Sequence, residues 1–135
     1  MEYTRESDRL VVRLDPGDRV LDSLETLRDE EDVDHGFLVG IGAVDEVVLG
    51  HYDVESQEYS EETFTGQFEV TSFSGNIGPD KIHTHIQVAD EEFETLGGHC
   101  SGAVVSGTFE IVVLLGETQL PHHLDERTGL DVFDL

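Results

Sequence analysis

Apolar and polar residues alternate along much of this chain, a pattern typical of β-strands that bury one face. Residues 9–14 (RLVVRL) form the first predicted strand, and residues 47–52 and 82–88 form two more. Over residues 64–70 the phenylalanines fall on one face, so Glu69 lies on the other. The pattern therefore predicts a sheet made of several strands.

Two longer apolar runs add to this sheet. Residues 37–44 are interrupted by two glycines, which indicates a bulge or a close backbone approach. Residues 104–115 are almost continuously apolar and predict a long strand buried on both faces. Residues 74–79 (SGNIGP) have the composition of a turn.

One segment has the spacing of a helix. Asp15 is placed to cap it, Pro16 fits the first turn, and Asp18 suits the positive end of the helix dipole. The acidic cluster 29–34 predicts where the helix ends. The apolar residues between these limits recur at helical spacing and form one stripe: Val20, Leu21, Leu24 and Leu27.

One helix among many strands predicts an α+β domain, mostly antiparallel β-sheet with the helix packed on it. The length of 135 residues fits a single domain, with a core at about residues 9–117 and a C-terminal extension at 118–135. No apolar run reaches the roughly 20 residues that span a bilayer, and the N-terminus lacks signal-peptide character. We therefore expect no membrane partner and a cytoplasmic location.

Composition changes this picture through surface charge. The chain has 31 Asp and Glu against 7 Lys and Arg, a formal net charge of -24, and its only lysine is Lys81. Such charge opposes compaction in dilute buffer, but near 1 M salt the Debye length falls to about 3 Å and screens the repulsion. Because the acids are spread along the whole chain, the composition indicates a halophilic source more than an acidic tail or a partner for a basic protein.

Three histidines have a spacing that suits a metal site. His83 and His85 alternate with apolar residues, so a strand places both on the same face, about 6–7 Å apart along the backbone. His99 follows two glycines that let the backbone pass close to such a site. Three histidines with one open position are typical of a catalytic zinc site, whereas structural zinc sites have four protein ligands.

Other interpretations of these residues stay open. His83 and His85 could equally be surface or hydrogen-bonded polar residues of a sheet. Cys100 is a possible soft ligand, although a small buried side chain is the commoner role for cysteine. The adjacent His122 and His123 point to opposite faces if extended, so a flexible tail is favoured over a shared metal site.

Glu69 is the one carboxylate marked as a candidate proton carrier. It lies mid-strand, and a buried carboxylate needs an arginine, a backbone amide or a metal-bound group to contact. The alternative is that Glu69 lies on a solvated sheet face. Other acids are too numerous for chance pairs to indicate acid–base chemistry.

Several motifs follow one another in a fixed order: residues 66–70 (GQFEV), residues 72–76 (SFSGN), the His83–His85 motif (HTH) and the Gly97–His99 motif (GGH). Together with upstream segments such as Arg13–Asp18 and Gly40–Val44, they cover about residues 9–117. In this order they resemble the plant-and-prokaryote conserved (PPC) domain family, with this chain as a stand-alone prokaryotic member, of the kind expected in a halophilic archaeon.

The resemblance implies an α+β fold of two similar halves, assembled as a homotrimer. Plant members carry AT-hook segments and work in DNA-binding proteins, whereas this chain has no Arg-Gly-Arg-Pro hook. Prokaryotic members resemble a metal-binding group, and the fold is similar to that of acetolactate decarboxylase, whose three-histidine zinc site polarises a keto acid. His83, His85 and His99 match that ligand pattern.

Three hypotheses follow. The first is a non-enzymatic DNA-binding or regulatory module with a three-histidine site for a divalent metal, zinc foremost. The second is a metal-dependent lyase or hydrolase that acts on a small carboxylate, with Glu69 moving protons. The third gives the histidines only a role in ordering the sheet or the trimer contact.

DNA binding needs clustered cations, because the protein must neutralise phosphates. The chain has no strongly basic stretch, and its DNA-contacting residues cannot be assigned from the sequence. If DNA is bound, we expect Arg5, Arg9, Arg13 or Arg19 to be gathered across the trimer.

Overall fold

The computed structural model describes all 135 residues, Met1–Leu135. It contains eight strands and one helix, in the chain order β1 (Glu2–Glu6), β2 (Arg9–Leu14), α1 (Val20–Glu30), β3 (Gly36–Asp53), β4 (Glu58–Ile77), β5 (Ile82–Ala89), β6 (Thr95–Leu115), β7 (His122–Asp125) and β8 (Leu130–Phe133).

Six of the strands form one antiparallel sheet in the order β1-β2-β6-β3-β4-β5, and β5 also pairs with β6. Strands β3, β4, β5 and β6 are therefore paired in a closed circuit. Strands β7 and β8 form a separate hairpin. The circuit places β5 and β6, which carry the histidine motifs, side by side.

The hydrophobic core lies where α1 packs on the sheet. The helix contributes Val20, Leu24 and Leu27, which are fully buried, so the predicted stripe is confirmed. These residues belong to one core cluster with Phe73 and Phe109, whose rings meet edge to face with centroids 5.2 Å apart. The helix is too short and too polar to cross a membrane.

The start of the helix differs from the prediction. Asp15 to Asp18 form a turn, and the N-cap is Arg19, which makes no side-chain cap. The Asp18 carboxylate accepts a hydrogen bond from the Asp15 N–H and pairs with the N-terminal ammonium of Met1 at 2.8 Å. The predicted Asp15 cap is therefore wrong, because Asp15 belongs to a turn that ends before the N-cap residue of the helix.

Within one chain, strand β6 is buried on one face only, so the chain alone does not give the predicted burial on both faces. Phe109 is fully buried, whereas Glu110 and Leu114 lie on the other face. No helix covers that side of the sheet. It carries a row of apolar side chains that are 40% or more exposed: Val11, Phe37, Val39, Ile41 and Leu114.

Turns and tail also differ from the prediction. Residues 74–77 continue β4, because they pair with β3 on one side and β5 on the other. The turn is confined to the short link that follows, where the Gly78 N–H donates to the Lys81 carbonyl at 2.7 Å. His122 and His123 belong to β7, not to a flexible tail. Strand β1 and the first half of β6 were not predicted.

Candidate metal centre

Strands β5 and β6 bring the three predicted ligands together. Along β5, Thr84 is buried, and His83 and His85 lie on the opposite face. His99 on β6 is the antiparallel partner of His85. The three histidines form one cluster, although they come from two separate motifs.

The two glycines before His99 are required by the approach of neighbouring strands. A Cβ on Gly97 would lie 2.9 Å from the Ile86 carbonyl oxygen, and one on Gly98 would lie 2.8 Å from the Gly50 carbonyl oxygen. Both distances are shorter than side chains tolerate. Glycine therefore allows β6 to pair with β3 and β5 at the level of the histidine cluster.

The imidazoles are close enough to bind one ion. One ring nitrogen from each of His83, His85 and His99 lies within 4.8 Å of the others. Their ring centroids are 5.1–5.8 Å apart. Two nitrogens bound at 2.1 Å to one tetrahedral metal are about 3.4 Å apart, so small side-chain rotations would complete the site.

Burial keeps His83 and His99 in the form that binds metals. Burial, then the nearby His99, His85 and Lys81, lower the pKa of His83 to about 4. Burial, then His85 and Lys81, also lower the pKa of His99, while Glu61 opposes this shift. Metal ligation needs neutral imidazole, and at neutral pH both side chains are neutral.

The donor set fits a divalent transition metal. Three imidazoles without a thiolate suit zinc, copper, iron or nickel. Asn76 is the cross-strand partner of His83, and its amide oxygen is buried without a hydrogen-bond partner. Metal-bound histidines usually donate their second ring N–H to such an acceptor. Asn76 is therefore suited to orient His83.

A cavity of about 590 Å³ lies beside the cluster. Its walls come from the sheet and from the C-terminal hairpin, and include His51, Tyr52, Val54, Tyr59, Lys81, Leu130, Asp131 and Val132. The Tyr52 hydroxyl donates to the Thr128 carbonyl at 2.9 Å, and Lys81 pairs with Asp131 at 3.1 Å. These two contacts hold the hairpin against the sheet beside the histidines.

Sequence reasoning missed several residues of this cavity. The Tyr59 hydroxyl lies 2.7 Å from Ser101 Oγ, and its ring meets His99 edge to face with centroids 6.0 Å apart. A Cβ on Gly50 would overlap the Tyr59 ring, so glycine leaves room for it. Composition marks Lys81 only as the single lysine of the chain. Its place directly before the His83–His85 motif was the available signal.

Other candidate residues lie outside the cluster. Glu69 is exposed on a solvated face and lines a different depression with Asp45 and Phe93. The Cys100 thiol is buried, which raises its pKa to about 11, so it behaves as a small core side chain. The His122 N–H donates to the Asp80 carboxylate at 3.2 Å.

The arginines are dispersed and compensated by acids. Arg5 pairs with Glu31 at 2.8 Å, and the other three amino-terminal candidates each pair with at least one carboxylate: Arg9 with Glu6 and Asp8, Arg13 with Glu2 and Asp15, and Arg19 with Asp22. Within one chain these residues form no uncompensated basic patch.

Comparison with known families gives one match over most of the chain. Residues 1–116 match the model of the Plants and Prokaryotes Conserved (PCC) domain. The chain belongs to this family. It is the family named PPC above, so the resemblance drawn from the motifs is confirmed. The hairpin of β7 and β8 lies beyond the residues matched to the PCC domain.

Solved structures share this fold closely. A protein from Bacteroides thetaiotaomicron, provisionally named as DNA-binding, is 25% identical, with a TM-score of 0.94 over 98% of this chain and 96% of its own. A second such protein, from Ralstonia eutropha, is 30% identical, with a TM-score of 0.91 over 98% and 95%. A metal-containing protein from Archaeoglobus fulgidus is 28% identical, with a TM-score of 0.85 over 98% of both chains.

More distant matches show shared architecture. Acetolactate decarboxylase from Bacillus subtilis has a TM-score of 0.59 at 12% identity, over 81% of this chain and 53% of its own, which shows similarity of fold alone.

Two proteins named bifunctional protein GlmU, from Synechococcus strains, are 30% identical over 104 residues, or 76% of this chain. The chain spans 16% of the length of these curated relatives.

Proposed function

We propose that this PCC-domain protein is a non-enzymatic, metal-binding regulatory module in which His83, His85 and His99 hold one divalent metal, zinc foremost. The proposal rests on one observation, the three imidazole nitrogens within 4.8 Å of one another beside a cavity. Three protein ligands leave a coordination position open, so the bound metal would supply a Lewis-acidic site for a ligand from the cavity. The metal-containing relative from Archaeoglobus fulgidus supports this assignment.

Binding is better supported than turnover. A lyase or hydrolase that acts on a small carboxylate would need a group to move protons beside the metal. Glu69, the residue suggested for that role, lines a different depression. The carboxylate that does line the cavity, Asp131, has Lys81 as its only side-chain hydrogen-bond partner and makes no hydrogen bond to a histidine of the cluster.

The first experiment is metal content by elemental mass spectrometry. Untagged protein, purified in high salt without chelator, is expected to hold about one metal per chain. The His83→Ala/His85→Ala variant should hold none, whereas His123→Ala should keep it, because His123 lies outside the cluster. A folded parent without metal, or a double variant that retains it, would contradict the proposal.

The proposed assembly is the homotrimer, with the open face of the sheet as the contact surface. Val11 and Val39 both pair with Val112, so exposed apolar side chains run across three strands. Such a contiguous patch marks an interaction surface. Sedimentation should show trimers for the parent and monomers for Ile41→Glu. Leu124→Glu, an equal change on β7, should remain trimeric.

DNA association is the second candidate, favoured by the provisional names of the two relatives. The paired arginines and the net charge of -24 give it less support than the metal role. Fluorescence anisotropy with duplex DNA in molar potassium chloride tests it. Binding that weakens steeply with added salt supports phosphate contacts. Absence of binding excludes the DNA candidate, and the metal-binding role is then the one that remains.

A further inference from the structure

The only lysine of this acidic chain lies in the wall of the histidine cavity. Lys81 precedes the first metal-ligand candidate by two residues, and its charge contributes to the lowered pKa values of His83 and His99. None of the six arginines lines this cavity. In a molecule with 31 acids, the one lysine ammonium group is therefore placed where a metal would bind.

The charges of the cavity favour an anion. Three neutral imidazoles would leave a bound divalent ion with both of its positive charges, and Lys81 adds a third. Asp131 is the only carboxylate in the cavity lining, and it cancels one of the three. Glu61 lies outside the lining, accepts a hydrogen bond from the Tyr59 hydroxyl and acts on His99, so it opposes a second. The cavity would then remain positive inside a strongly negative molecule.

The structure also shows what Lys81 binds. Its Nζ lies 3.1 Å from Asp131 Oδ2, a carboxylate supplied by β8 of the hairpin. Both side chains are partly exposed, at 35% and 47%. Exposed pairs of this kind are weak, so a carboxylate that also reaches the metal can replace Asp131 at the ammonium.

The remaining cavity walls determine the polarity and size of the rest of the ligand. Val54, Leu130, Val132 and the Tyr59 ring line the same cavity, whose volume of about 590 Å³ lies in the range of small-molecule sites. Resting on the proposed metal site, we infer that the cavity binds a small organic carboxylate with an apolar body. Its carboxylate lies between the metal and Lys81, in place of Asp131.

Calorimetric titration of the zinc-loaded protein with benzoate tests this inference, with neutral benzamide as the matched probe. Benzoate is expected to bind, and benzamide at least about tenfold more weakly. Lys81→Met should weaken benzoate binding about tenfold, whereas Asp131→Asn should tighten it by removing the competing carboxylate. Arg127→Met removes a cation from the same hairpin outside the cavity and should leave the affinity unchanged.

Zinc content, measured first for each protein, separates the two proposals. A metal-free parent overturns both. A zinc-loaded parent that does not bind benzoate, or a zinc-loaded Lys81→Met protein with parental affinity, overturns the carboxylate inference and leaves the metal site standing. Equal binding of benzamide and benzoate overturns the inference in the same way.

Discussion

At the residue scale, Gly75 controls how closely the strand bearing His83 and His85 approaches its neighbour. It is paired with Thr84 in β5. A Cβ at this position would clash with the His83 carbonyl oxygen and lie 2.8 Å from Thr84 Cα. Both contacts are to backbone, which cannot move aside as a flexible side chain can. A methyl group here would therefore displace two of the three ligands.

We predict that Gly75→Ala destabilises the protein by about 1–3 kcal/mol, the usual cost of overpacking, and lowers its metal occupancy. Thermal unfolding and metal analysis measure the two effects. Gly102→Ala is the matched control, because a Cβ there meets Val48 at 3.5 Å, an ordinary contact. Equal stability of the two variants would show that β5 can shift without cost.

The histidine cluster also predicts a pH dependence. The pKa of His83 is lowered to about 4 in the folded chain by burial and by its cationic neighbours, against about 6.5 in the unfolded chain. The unfolded state therefore binds the proton first as pH falls. The metal-free protein should lose this share of stability between about pH 6.5 and pH 4 and keep it above pH 6.5.

Urea unfolding at several pH values measures this effect against His83→Gln, which does not titrate. The difference in the free energy of unfolding between parent and variant should be constant above pH 6.5. Below pH 6.5 the free energy of unfolding of the parent should fall relative to that of the variant. His123→Gln, on the exposed hairpin, serves as control. A difference that does not change with pH would exclude a lowered pKa at His83.

Individual ligands are predictable from sequence where the information is local. Strand alternation alone places His83 and His85 on one face, and a paired glycine marks the close approach before His99. Tyr59 reaches the cavity through the register of β3, which pairs Tyr52 with Tyr59 on β4 and Gly50 with His99 on β6. That register depends on contacts between residues far apart in the chain, which a local pattern does not contain.

At the element scale, the C-terminal hairpin is attached to the main sheet by side-chain contacts and not by strand pairing. Tyr52 on β3 donates to the Thr128 carbonyl in the hairpin turn, and Lys81 pairs with Asp131. The Phe133 ring on β8 also meets the Phe37 ring on β3 edge to face, with centroids 6.2 Å apart. A hairpin held this way is expected to open locally before the sheet unfolds.

We predict that Tyr52→Phe loosens the hairpin by about 1 kcal/mol, the net worth of one hydrogen bond. Amides of β7 and β8 should then exchange with deuterium about fivefold faster, while those of β6 are unchanged. Tyr3→Phe, which removes a hydroxyl that donates to Glu30 far from the hairpin, is the control. Uniformly faster exchange would indicate global destabilisation instead.

A helix or strand was predictable from sequence where the spacing of apolar residues within that one segment already identifies the face that packs on the core. The helical stripe and strand 9–14 are of this kind. The predicted helix cap at Asp15 was wrong because aspartate is favoured both in turns and at helix starts, so the sequence does not distinguish the two. The hairpin was missed because β7 and β8 are short and lack apolar alternation. The two similar halves implied by the family stay a prediction.

At the scale of the whole molecule, charge dominates the conditions for folding. The net charge of -24 is carried by only 135 residues, so the acids repel one another across the surface at low ionic strength. The arginine–carboxylate pairs are mostly exposed and contribute little each. Screening by salt, not ion pairing, is therefore the main relief of this repulsion.

We predict that the melting temperature rises by roughly 6–10 °C between 0.1 M and 2 M potassium chloride, as expected for a gain of about 2 kcal/mol. Differential scanning calorimetry measures this shift. Sucrose at matched osmolality should give a smaller rise, because it does not screen charge. A melting temperature unaffected by the chloride salt would contradict adaptation to high salt.

The position of Lys81 has a practical consequence. Lys81 is the only lysine of the chain, and the Met1 ammonium, which pairs with Asp18, does not line the cavity. Reductive methylation with ¹³C-formaldehyde would therefore give one side-chain resonance, located beside the histidines. That signal would report directly on occupancy of the cavity, without a tag or a substitution in the chain.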